Sequence, residues 1–301
     1  MRIAILSRST ANYSTRVLID AAEKAGHEVI VLDYAKCYME IEHNRPTIHY
    51  KGERLTGIDA VIPRIGFSYT GYGSAVVRQF EMMNVFTTAK SIAIVRSRDK
   101  LRSLQLMARS DIDIPKTAFA SQTEDIAELI DLVGGAPLIV KLVESTHGQG
   151  VVLAQTKKEA KSIVQAFYSI NQPILIQEFI EESGGADIRA FVVGGRVVGA
   201  MKRQGLDEDF RSNLHLGGTG EKIKLSDDER KIAVKAAKKL GLDIAGVDIL
   251  QSSRGPLVIE VNSSPGLEGI ENTTNKDIAS IIVKYIEVNA TRKPKKDKVG
   301  A

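Results

Sequence analysis

The stretch that decides the fold is IAGVDILQSSRGPLVIEVN, residues 244–262. It contains two apolar runs, 244–250 and 257–261, which flank the turn-rich segment 252–255. This pattern predicts two β-strands joined by a tight turn. One acidic residue interrupts each apolar run. Acidic side chains are rarely buried unless they are paired, so these two residues are the first candidates for a functional site.

The acidic residues are Asp248 and Glu260, and Asn262 follows Glu260 two positions later. Residues two apart in a strand project from the same face, so Glu260 and Asn262 share one face. If the strands pair antiparallel, Asp248 lies opposite either Ile259 or Glu260. That one-residue difference in register decides whether Asp248 also lies on this face.

Two carboxylates and an amide oxygen among apolar neighbours are costly to bury unless they are paired or bound to a cation. Ligands that are all oxygen suit Mg²⁺ or Mn²⁺, and Mg²⁺ needs few protein ligands when substrate phosphates supply others. The three residues together therefore predict a divalent metal site. The alternative, in which each acid pairs with a nearby lysine or arginine, stays open.

A charged residue also interrupts a second apolar run: Lys141 lies within PLIVKLV, residues 137–143. The segment ESTHGQG, residues 144–150, follows at once. A loop of small residues can fold over phosphates with its N–H groups pointing inward, and a lysine beside it can add positive charge. Two alternatives remain, a lysine that reaches solvent from an edge strand and a plain hairpin turn.

A third polar cluster is DFRSNLHLGG, residues 209–218. Its arginine, Arg211, can bind a phosphate or a carboxylate through two parallel hydrogen bonds. Hydroxyl and amide groups follow at Ser212 and Asn213. The alternative is an exposed polar loop without a ligand.

The surrounding sequence predicts an α/β protein. In residues 1–97, apolar runs such as 3–6 alternate with helical patterns, which indicates a small, mostly parallel sheet with helices on its faces. From residue 187 onward the pattern becomes antiparallel, with a hairpin at Gly194-Gly195. The pair Ser226 and Glu229 forms a capping box that opens a later helix.

Composition excludes several classes of protein. With 301 residues, 26% charged and 43% hydrophobic, the chain is not disordered, collagen-like or a disulfide scaffold. The formal charge is +4, from 41 basic and 37 acidic residues. Residues 292–298 hold five basic side chains and one acidic side chain, so this tail accounts for the whole net charge. The charge balance therefore gives little support to direct nucleic-acid binding.

Absent motifs narrow the chemistry further. The sequence has no Gly-Lys dipeptide and hence no Walker-type phosphate loop, and it lacks the His-Glu-x-x-His and Gly-x-Ser-x-Gly motifs. Cys37 is the only cysteine, which precludes an intramolecular disulfide and fits a reducing compartment. No apolar run approaches the roughly 18 residues of a membrane span. We therefore expect a cytoplasmic protein that does not enter a membrane.

Taken in order, these segments resemble the ATP-grasp carboxylate–amine ligases. The resemblance rests on the following stretches: 98–100 (RDK), 140–141 (VK), 144–150 (ESTHGQG), 177–180 (QEFI), 187–189 (DIR), 210–213 (FRSN), Asp248, and 260–266 (EVNSSPG). More narrowly, residues 60–66 (AVIPRIG), 78–82 (RQFEM) and 264–271 (SPGLEGIE) are similar to the RimK-type ligases. The resemblance covers nearly the whole chain except the basic tail.

The resemblance implies a small parallel-sheet domain at 1–97, followed by a two-subdomain ATP-grasp fold (α+β) at 98–180 and 181–290. Residues 291–301 lie outside the resemblance, and their run of basic side chains predicts a flexible tail. ATP would lie between the two ATP-grasp subdomains, with two Mg²⁺ or Mn²⁺ ions. The implied residue roles are these: Lys100 and Lys141 for the phosphates, Glu178 and Phe179 for the adenine, Asp187 for the ribose, Arg211, Ser212 and Asn213 for the nucleotide and the reacting centre, Arg189 and Arg203 for phosphate or acyl contacts, and Asp248, Glu260 and Asn262 for the metals.

The activity that the resemblance implies is ATP-dependent addition of L-glutamate to the C-terminus of a small-subunit ribosomal protein, through an acyl phosphate. A homo-oligomer is also implied. Two alternatives remain open. The first keeps the ligase chemistry but takes another acceptor, such as a carrier protein, a peptide, or a pterin- or deazaflavin-type cofactor. The second is a non-catalytic protein that binds the ribosome or RNA through the basic tail.

Overall fold

The computed structural model describes residues 1–121, 123–143, 150–206, 210–212 and 217–291. Three predicted features lie outside these residues: the loop at 144–149, Asn213, and the basic tail from residue 292 onward.

The N-terminal part, which is described throughout, pairs a parallel sheet with helices. Its elements are β1 (Arg2–Leu6), α1 (Tyr13–Lys24), β2 (Glu28–Leu32), β3 (Cys37–Glu40), β4 (Thr47–Tyr50), β5 (Glu53–Arg54), β6 (Ala60–Pro63), α2 (Thr70–Met82), β7 (Phe86–Thr87) and α3 (Ser91–Arg98). The parallel sheet has the strand order β2-β1-β6-β7, and β3, β4 and β5 form a small antiparallel sheet. Both faces of β1 are buried, which explains its continuous apolar sequence.

The central part carries one antiparallel sheet. Its elements are α4 (Lys100–Ala108), β8 (Thr117–Ala120), α5 (Ile126–Leu132), β9 (Leu138–Leu142), β10 (Val151–Ala154), α6 (Lys157–Ser169) and β11 (Ile174–Glu178). The strands follow the order β10-β9-β11-β8. Helices α5 and α6 cover one face, where Ile130 and Val164 belong to the same apolar cluster as Val140. This packing leaves the side chains of the opposite face available for a ligand.

The C-terminal part is built on a larger antiparallel sheet, here called the C-terminal sheet. Its elements are β12 (Ala186–Val193), β13 (Arg196–Gln204), β14 (Thr219–Lys222), α7 (Asp227–Leu240), β15 (Ile244–Ser252), β16 (Gly255–Asn262), α8 (Glu268–Thr274) and α9 (Ile278–Ala290). The strand order is β14-β13-β12-β15-β16. Val247 and Val261 on one face share a buried cluster with Ala233 and Ala236 of α7. Burial of this face turns the charged residues of β15 and β16 to the other one.

Packing also joins the two ends of the chain. Ile3 and Ile5 of β1, Leu18 of α1, and Ile282 and Ile286 of α9 lie in one buried cluster. The C-terminal helix therefore covers the N-terminal sheet. Because of this contact, the N-terminal part is held against the C-terminal sheet rather than separated from it.

The predicted fold class is confirmed: a parallel α/β part precedes antiparallel sheets. The capping box at Ser226 and Glu229 is present, and it begins α7. The analysis of periodicity missed α3, α8 and the exposed strand β14. The domain boundaries remain a prediction. Among the described residues, no helix has both the length and the apolar character needed to cross a membrane.

Candidate active site

The candidate site is one charged face of the C-terminal sheet. Asp248 pairs with Glu260 across β15 and β16, and the register shifts beside Asp248 so that Ile249 pairs with Val258. The extra residue of this β-bulge is Ile259. Of the two registers that the sequence left open, the structure therefore has the one in which Asp248 lies opposite Glu260, and the two carboxylates share a face.

The same face continues across the sheet. Asn262 lies opposite Gly246, Arg189 of β12 lies opposite Asp248, and Asp187 lies opposite Arg203 of β13. Positions two apart in a strand share a face, so the predicted metal ligands and both predicted arginines stand in one row of side chains. The structure brings together residues that are up to 75 positions apart in the sequence.

Asp248 is 4% exposed and lies between two arginines. Arg189 binds it through two hydrogen bonds, one from Nη2 to Oδ2 at 2.6 Å and one from Nε to Oδ1, and Arg203 Nη2 lies 3.1 Å from Oδ2. Burial alone would raise the pKa of Asp248. The two ion pairs outweigh burial and hold its pKa below the ordinary value, so the carboxylate is charged.

Arg203 also binds Asp187, which is 5% exposed, with a distance of 2.7 Å from Nε to Oδ1. Burial opposes the charge of Arg203, but Asp248 and Asp187 together raise its pKa above the ordinary value. In this state the carboxylate of Asp187 is occupied by Arg203. The predicted contact of Asp187 with a ribose therefore remains a prediction.

Glu260 has a different environment from Asp248. Its side chain is exposed to solvent, but charged groups from several parts of the chain surround it. Desolvation by the surrounding protein and the negative charge of Asp248 raise its pKa, while Arg189, Lys100 and Lys141 lower it. An accessible carboxylate that faces several cations is available to a ligand that enters from solvent.

The donor set fits a magnesium ion in type and in placement. Asp248, Glu260 and Asn262 offer oxygen atoms from one face, and Glu260 is accessible. Among the described residues, no group of three histidine, cysteine, aspartate or glutamate side chains could hold a metal by itself. The set holds two carboxylates and one amide, which suits Mg²⁺ when substrate phosphates complete the coordination. The ion pairs of Asp248 correspond to the alternative that the sequence left open.

Lys141 and Lys100 meet near the end of β9, which is an interior strand of the central sheet, so Lys141 does not reach solvent from an edge strand. Lys141 Nζ donates a hydrogen bond of 2.6 Å to Gln177 Oε1, and Lys100 Nζ donates one of 3.0 Å to the Leu142 carbonyl oxygen. Burial lowers the pKa of Lys141 to about 8, with Glu260 acting in the opposite direction and Lys100 adding to the decrease. Burial also lowers the pKa of Lys100. Both lysines therefore lie in electrostatic range of Glu260, as a phosphate site between the two sheets requires.

Glu178 ends β11 and is held from two sides. Its Oε1 accepts a hydrogen bond of 2.6 Å from the Lys116 backbone N–H and contacts Arg254 of the β15–β16 turn. Phe179 follows the strand and is half-buried. Of the third polar cluster the structure describes Arg211, which is half-buried, and Ser212, which is buried. The nucleotide contacts of these residues remain predictions.

Sequence reasoning overlooked two residues of the site. Gln177 accepts the hydrogen bond from Lys141, and the available signal was a polar side chain in an otherwise apolar strand. Gly246 lies beneath Arg189: a Cβ atom there would stand 2.8 Å from Pro265 Cβ and 3.2 Å from Arg189 Cδ. A side chain at 246 would therefore displace the arginine that binds Asp248.

Comparisons with known proteins agree with this geometry. Residues 97–286 match the model of the RimK-like ATP-grasp domain, and residues 1–94 match that of the RimK PreATP-grasp domain. A probable alpha-L-glutamate ligase from Aliivibrio salmonicida is 59% identical over 293 residues, which are 97% of each chain.

Solved structures show the same fold at low sequence identity. The ATP-grasp ligase PsnB, complexed with a phosphomimetic variant of its minimal precursor, Mg and ADP, has a TM-score of 0.74 at 19% identity, over 97% of this chain and 98% of its own. D-alanine–D-alanine ligase from Bacillus anthracis, complexed with ATP, has a TM-score of 0.69 at 18% identity, over 96% and 97%.

Proposed function

Because this chain belongs to the family of RimK-like ATP-grasp ligases, we propose that it joins L-glutamate to an acceptor carboxylate while ATP is converted to ADP and phosphate. Relatives that are 58–59% identical over nearly the whole chain carry the name alpha-L-glutamate ligase, which supports glutamate as the amine substrate. The observation that carries the proposal is the convergence of Asp248, Glu260, Lys100 and Lys141 on one cleft.

The reaction has two steps. An oxygen of the acceptor carboxylate attacks the γ-phosphorus of ATP, the bond to the β-phosphate oxygen breaks, and ADP leaves. The neutral amine of L-glutamate then attacks the acyl carbon, and phosphate departs from the tetrahedral intermediate as the nitrogen loses a proton. The first step brings two anions together, so positive charge at the site lowers its barrier most.

The residues of the site supply that charge from two sides. Lys100 and Lys141 bind the phosphates from the central sheet, and Arg189 and Arg203 face the same cleft from the C-terminal sheet. Asp248, Glu260 and Asn262 would hold Mg²⁺ or Mn²⁺, two ions in our proposal, and bound metal neutralises phosphate oxygens.

For the acceptor we propose the C-terminus of a small-subunit ribosomal protein. The support is the resemblance of residues 60–66, 78–82 and 264–271 to the RimK-type ligases, together with matches to both RimK domain models. We further propose a cytoplasmic location, in which buried Cys37 stays reduced, and a homo-oligomeric assembly that light scattering can test.

The test is ADP release by the purified protein with ATP, Mg²⁺ and L-glutamate, with and without the ribosomal protein. Intact mass spectrometry of the acceptor is the second readout. We expect ADP release that requires both glutamate and acceptor, and an acceptor mass increased by whole glutamyl residues. If the mass of the ribosomal protein stays unchanged while a cofactor or a peptide is glutamylated, that molecule is the acceptor instead. Absence of ADP release with every acceptor, together with loss of RNA binding on removal of residues 292–301, would overturn the ligase proposal.

A further inference from the structure

The topology of the N-terminal sheet predicts the position of a crevice at its strand ends. The strand order is β2-β1-β6-β7, and the chain leaves β1 towards β2 through α1 but leaves β6 towards β7 through α2. The direction of winding therefore reverses between β1 and β6. In open parallel sheets, ligands bind outside the carboxyl ends of the two strands where the order reverses.

Three arginines follow or lie near these carboxyl ends, and we call them the crevice arginines: Arg8, Arg64 and Arg98. The charges of Arg64 and Arg98 act on each other. Arg8 follows β1 and lies 4.6 Å from the ring centroid of Tyr69. Arg64 follows β6, and its backbone N–H donates a hydrogen bond to the carbonyl oxygen at the end of β1. Arg98 ends α3 and donates a hydrogen bond of 2.6 Å from Nη2 to the Ile65 carbonyl oxygen.

The crevice arginines lack acidic partners. Within the described part of the chain, none of them has a carboxylate within 4.0 Å, whereas Arg189 and Arg203 both do. A guanidinium offers five N–H donors, and among the described residues Arg64 and Arg98 each use one, on a backbone carbonyl. Burial and the neighbouring Arg98 lower the pKa of Arg64 to about 10. Arg64 and Arg98 act on each other and have no carboxylate within 4.0 Å in the described part of the chain, so they form a site that favours an anion.

Arg64 and Arg98 lie near the end of β16. Arg64 Nη1 donates a hydrogen bond of 2.7 Å to the Pro265 carbonyl oxygen, and Ser264 Oγ donates one of 3.3 Å to the Pro63 carbonyl oxygen. Both C-terminal residues follow shortly after Asn262, the last residue of β16. The charge of Glu260 also acts on Arg98. An anion bound at the crevice would therefore lie near the predicted metal ligands.

We propose that the crevice arginines bind glutamyl carboxylates, either those of the acidic acceptor end or that of the incoming L-glutamate. This inference rests on the proposed function. Each addition converts one acceptor carboxylate into an amide and brings two new carboxylates, so the acceptor gains one negative charge per cycle. Arginine binds carboxylate through two parallel hydrogen bonds, which fixes orientation as well as charge.

The test compares R8Q, R64Q and R98Q with a matched control, R196Q, which removes an exposed arginine at the start of β13. We measure KM for ATP, for L-glutamate and for an acceptor peptide. We expect KM to rise about tenfold or more for glutamate or for the peptide, with KM for ATP within about twofold of the wild-type value. The substrate whose KM rises identifies the source of the bound carboxylate. Unchanged KM values for both substrates in all three variants would overturn the proposal.

Two further measurements distinguish loss of carboxylate binding from loss of protein stability, and failure of this proposal from failure of the ligase proposal. R8Q removes an exposed side chain, and R64K retains the charge without the paired donors, so R64K should recover only part of the affinity lost in R64Q. Fluorescence anisotropy with a labelled tetraglutamate peptide, against tetraglutamine, needs no turnover. If the wild type shows no ligase activity but the variants bind tetraglutamate more weakly than the wild type does, the crevice proposal stands and the ligase proposal is refuted. If the wild type is active but the variants bind tetraglutamate as tightly as the wild type does, the crevice proposal is refuted.

Discussion

Two groups of arginines, each with a member whose charge interacts with Glu260, differ in their partners. On the C-terminal sheet, Arg189 and Arg203 are bound to buried carboxylates. At the N-terminal crevice, the arginines end on backbone carbonyls or aromatic rings, without a carboxylate within 4.0 Å among the described residues. The first group is a balanced set of charges, and the second group is not.

The difference indicates what each side receives. Enclosed charges are costly unless an opposite charge or a ligand completes them. The balanced face already contains acids, so a cation can enter there and release the arginines to a phosphate or an acyl oxygen. At the unbalanced crevice the described residues place no carboxylate within 4.0 Å of the arginines, so an anion can complete it. Under the proposals above, metal and phosphate would therefore bind at the C-terminal sheet and the substrate carboxylate at the N-terminal crevice.

The largest expected effect comes from removal of the accessible carboxylate of Glu260, whose charge interacts with both groups of arginines. In Glu260→Ala we expect turnover to fall at least about 1000-fold, because the metal loses a ligand at the reacting phosphate. Glu260 is exposed, so the thermal unfolding temperature should stay near the wild-type value. Turnover is followed by ADP release, and Mn²⁺ binding by electron paramagnetic resonance.

The control for this variant is Glu221→Ala, which removes an exposed glutamate from β14 of the same sheet. It should leave both turnover and Mn²⁺ binding unchanged. If Glu260→Ala releases ADP normally, or binds Mn²⁺ as the wild type does, the metal assignment on the balanced face is wrong.

The second effect concerns stability and separates the balanced group from the unbalanced one. Asp248→Asn leaves two enclosed arginines without the carboxylate that both of them contact, and we expect the free energy of unfolding to fall by about 3 kcal/mol. Arg8→Gln removes an exposed charge that has no acidic partner among the described residues, and we expect a change below about 0.5 kcal/mol. Urea denaturation followed by circular dichroism measures both. Equal losses in the two variants would remove the distinction between the groups.

Part of this site was predictable from local sequence. Acidic residues inside apolar strands pointed to Asp248 and Glu260, and the spacing of two placed Asn262 on the face of Glu260. Lys141 was visible for the same reason. These predictions use only the alternation of side chains between the two faces of a single strand, so they do not depend on tertiary structure.

The remainder depended on contacts that local patterns do not contain. The β-bulge at Ile259 sets the register, and no residue type marks it. Arg189 and Asp248 are 59 positions apart, and their contact exists because β12 and β15 are neighbours in the sheet. The role of Gly246 is recognised only from its distance to Arg189 and Pro265. The role of the crevice arginines is recognised only from the strand order. All four follow from topology rather than from composition.

The smallest expected effect is the pH dependence of ATP affinity, which tests the role of Lys141. Burial lowers the pKa of Lys141 from 10.5 to about 8, so the free protein loses this charge above pH 8. A phosphate favours the protonated lysine. Affinity for ATP should therefore fall by up to about tenfold per pH unit above pH 8, with proton uptake on binding, which calorimetry in buffers of different ionisation enthalpy measures. The unfolded chain binds this proton more tightly, so the Lys141 contribution to the free energy of unfolding should rise with pH from about 8 to 10.5.

Lys141→Arg provides the comparison, because a guanidinium keeps its charge throughout this range. Whatever its absolute affinity, this variant should bind ATP with a nearly constant dissociation constant between pH 8 and pH 9.5 and without proton uptake. The tetraglutamate affinity of the wild type should also stay constant there, since the pKa of Arg64, at about 10, lies above this range. If affinity for ATP and affinity for tetraglutamate fell together above pH 8, a single set of cations would bind both anions. That result would contradict the proposal that ATP and the substrate carboxylate have separate sites.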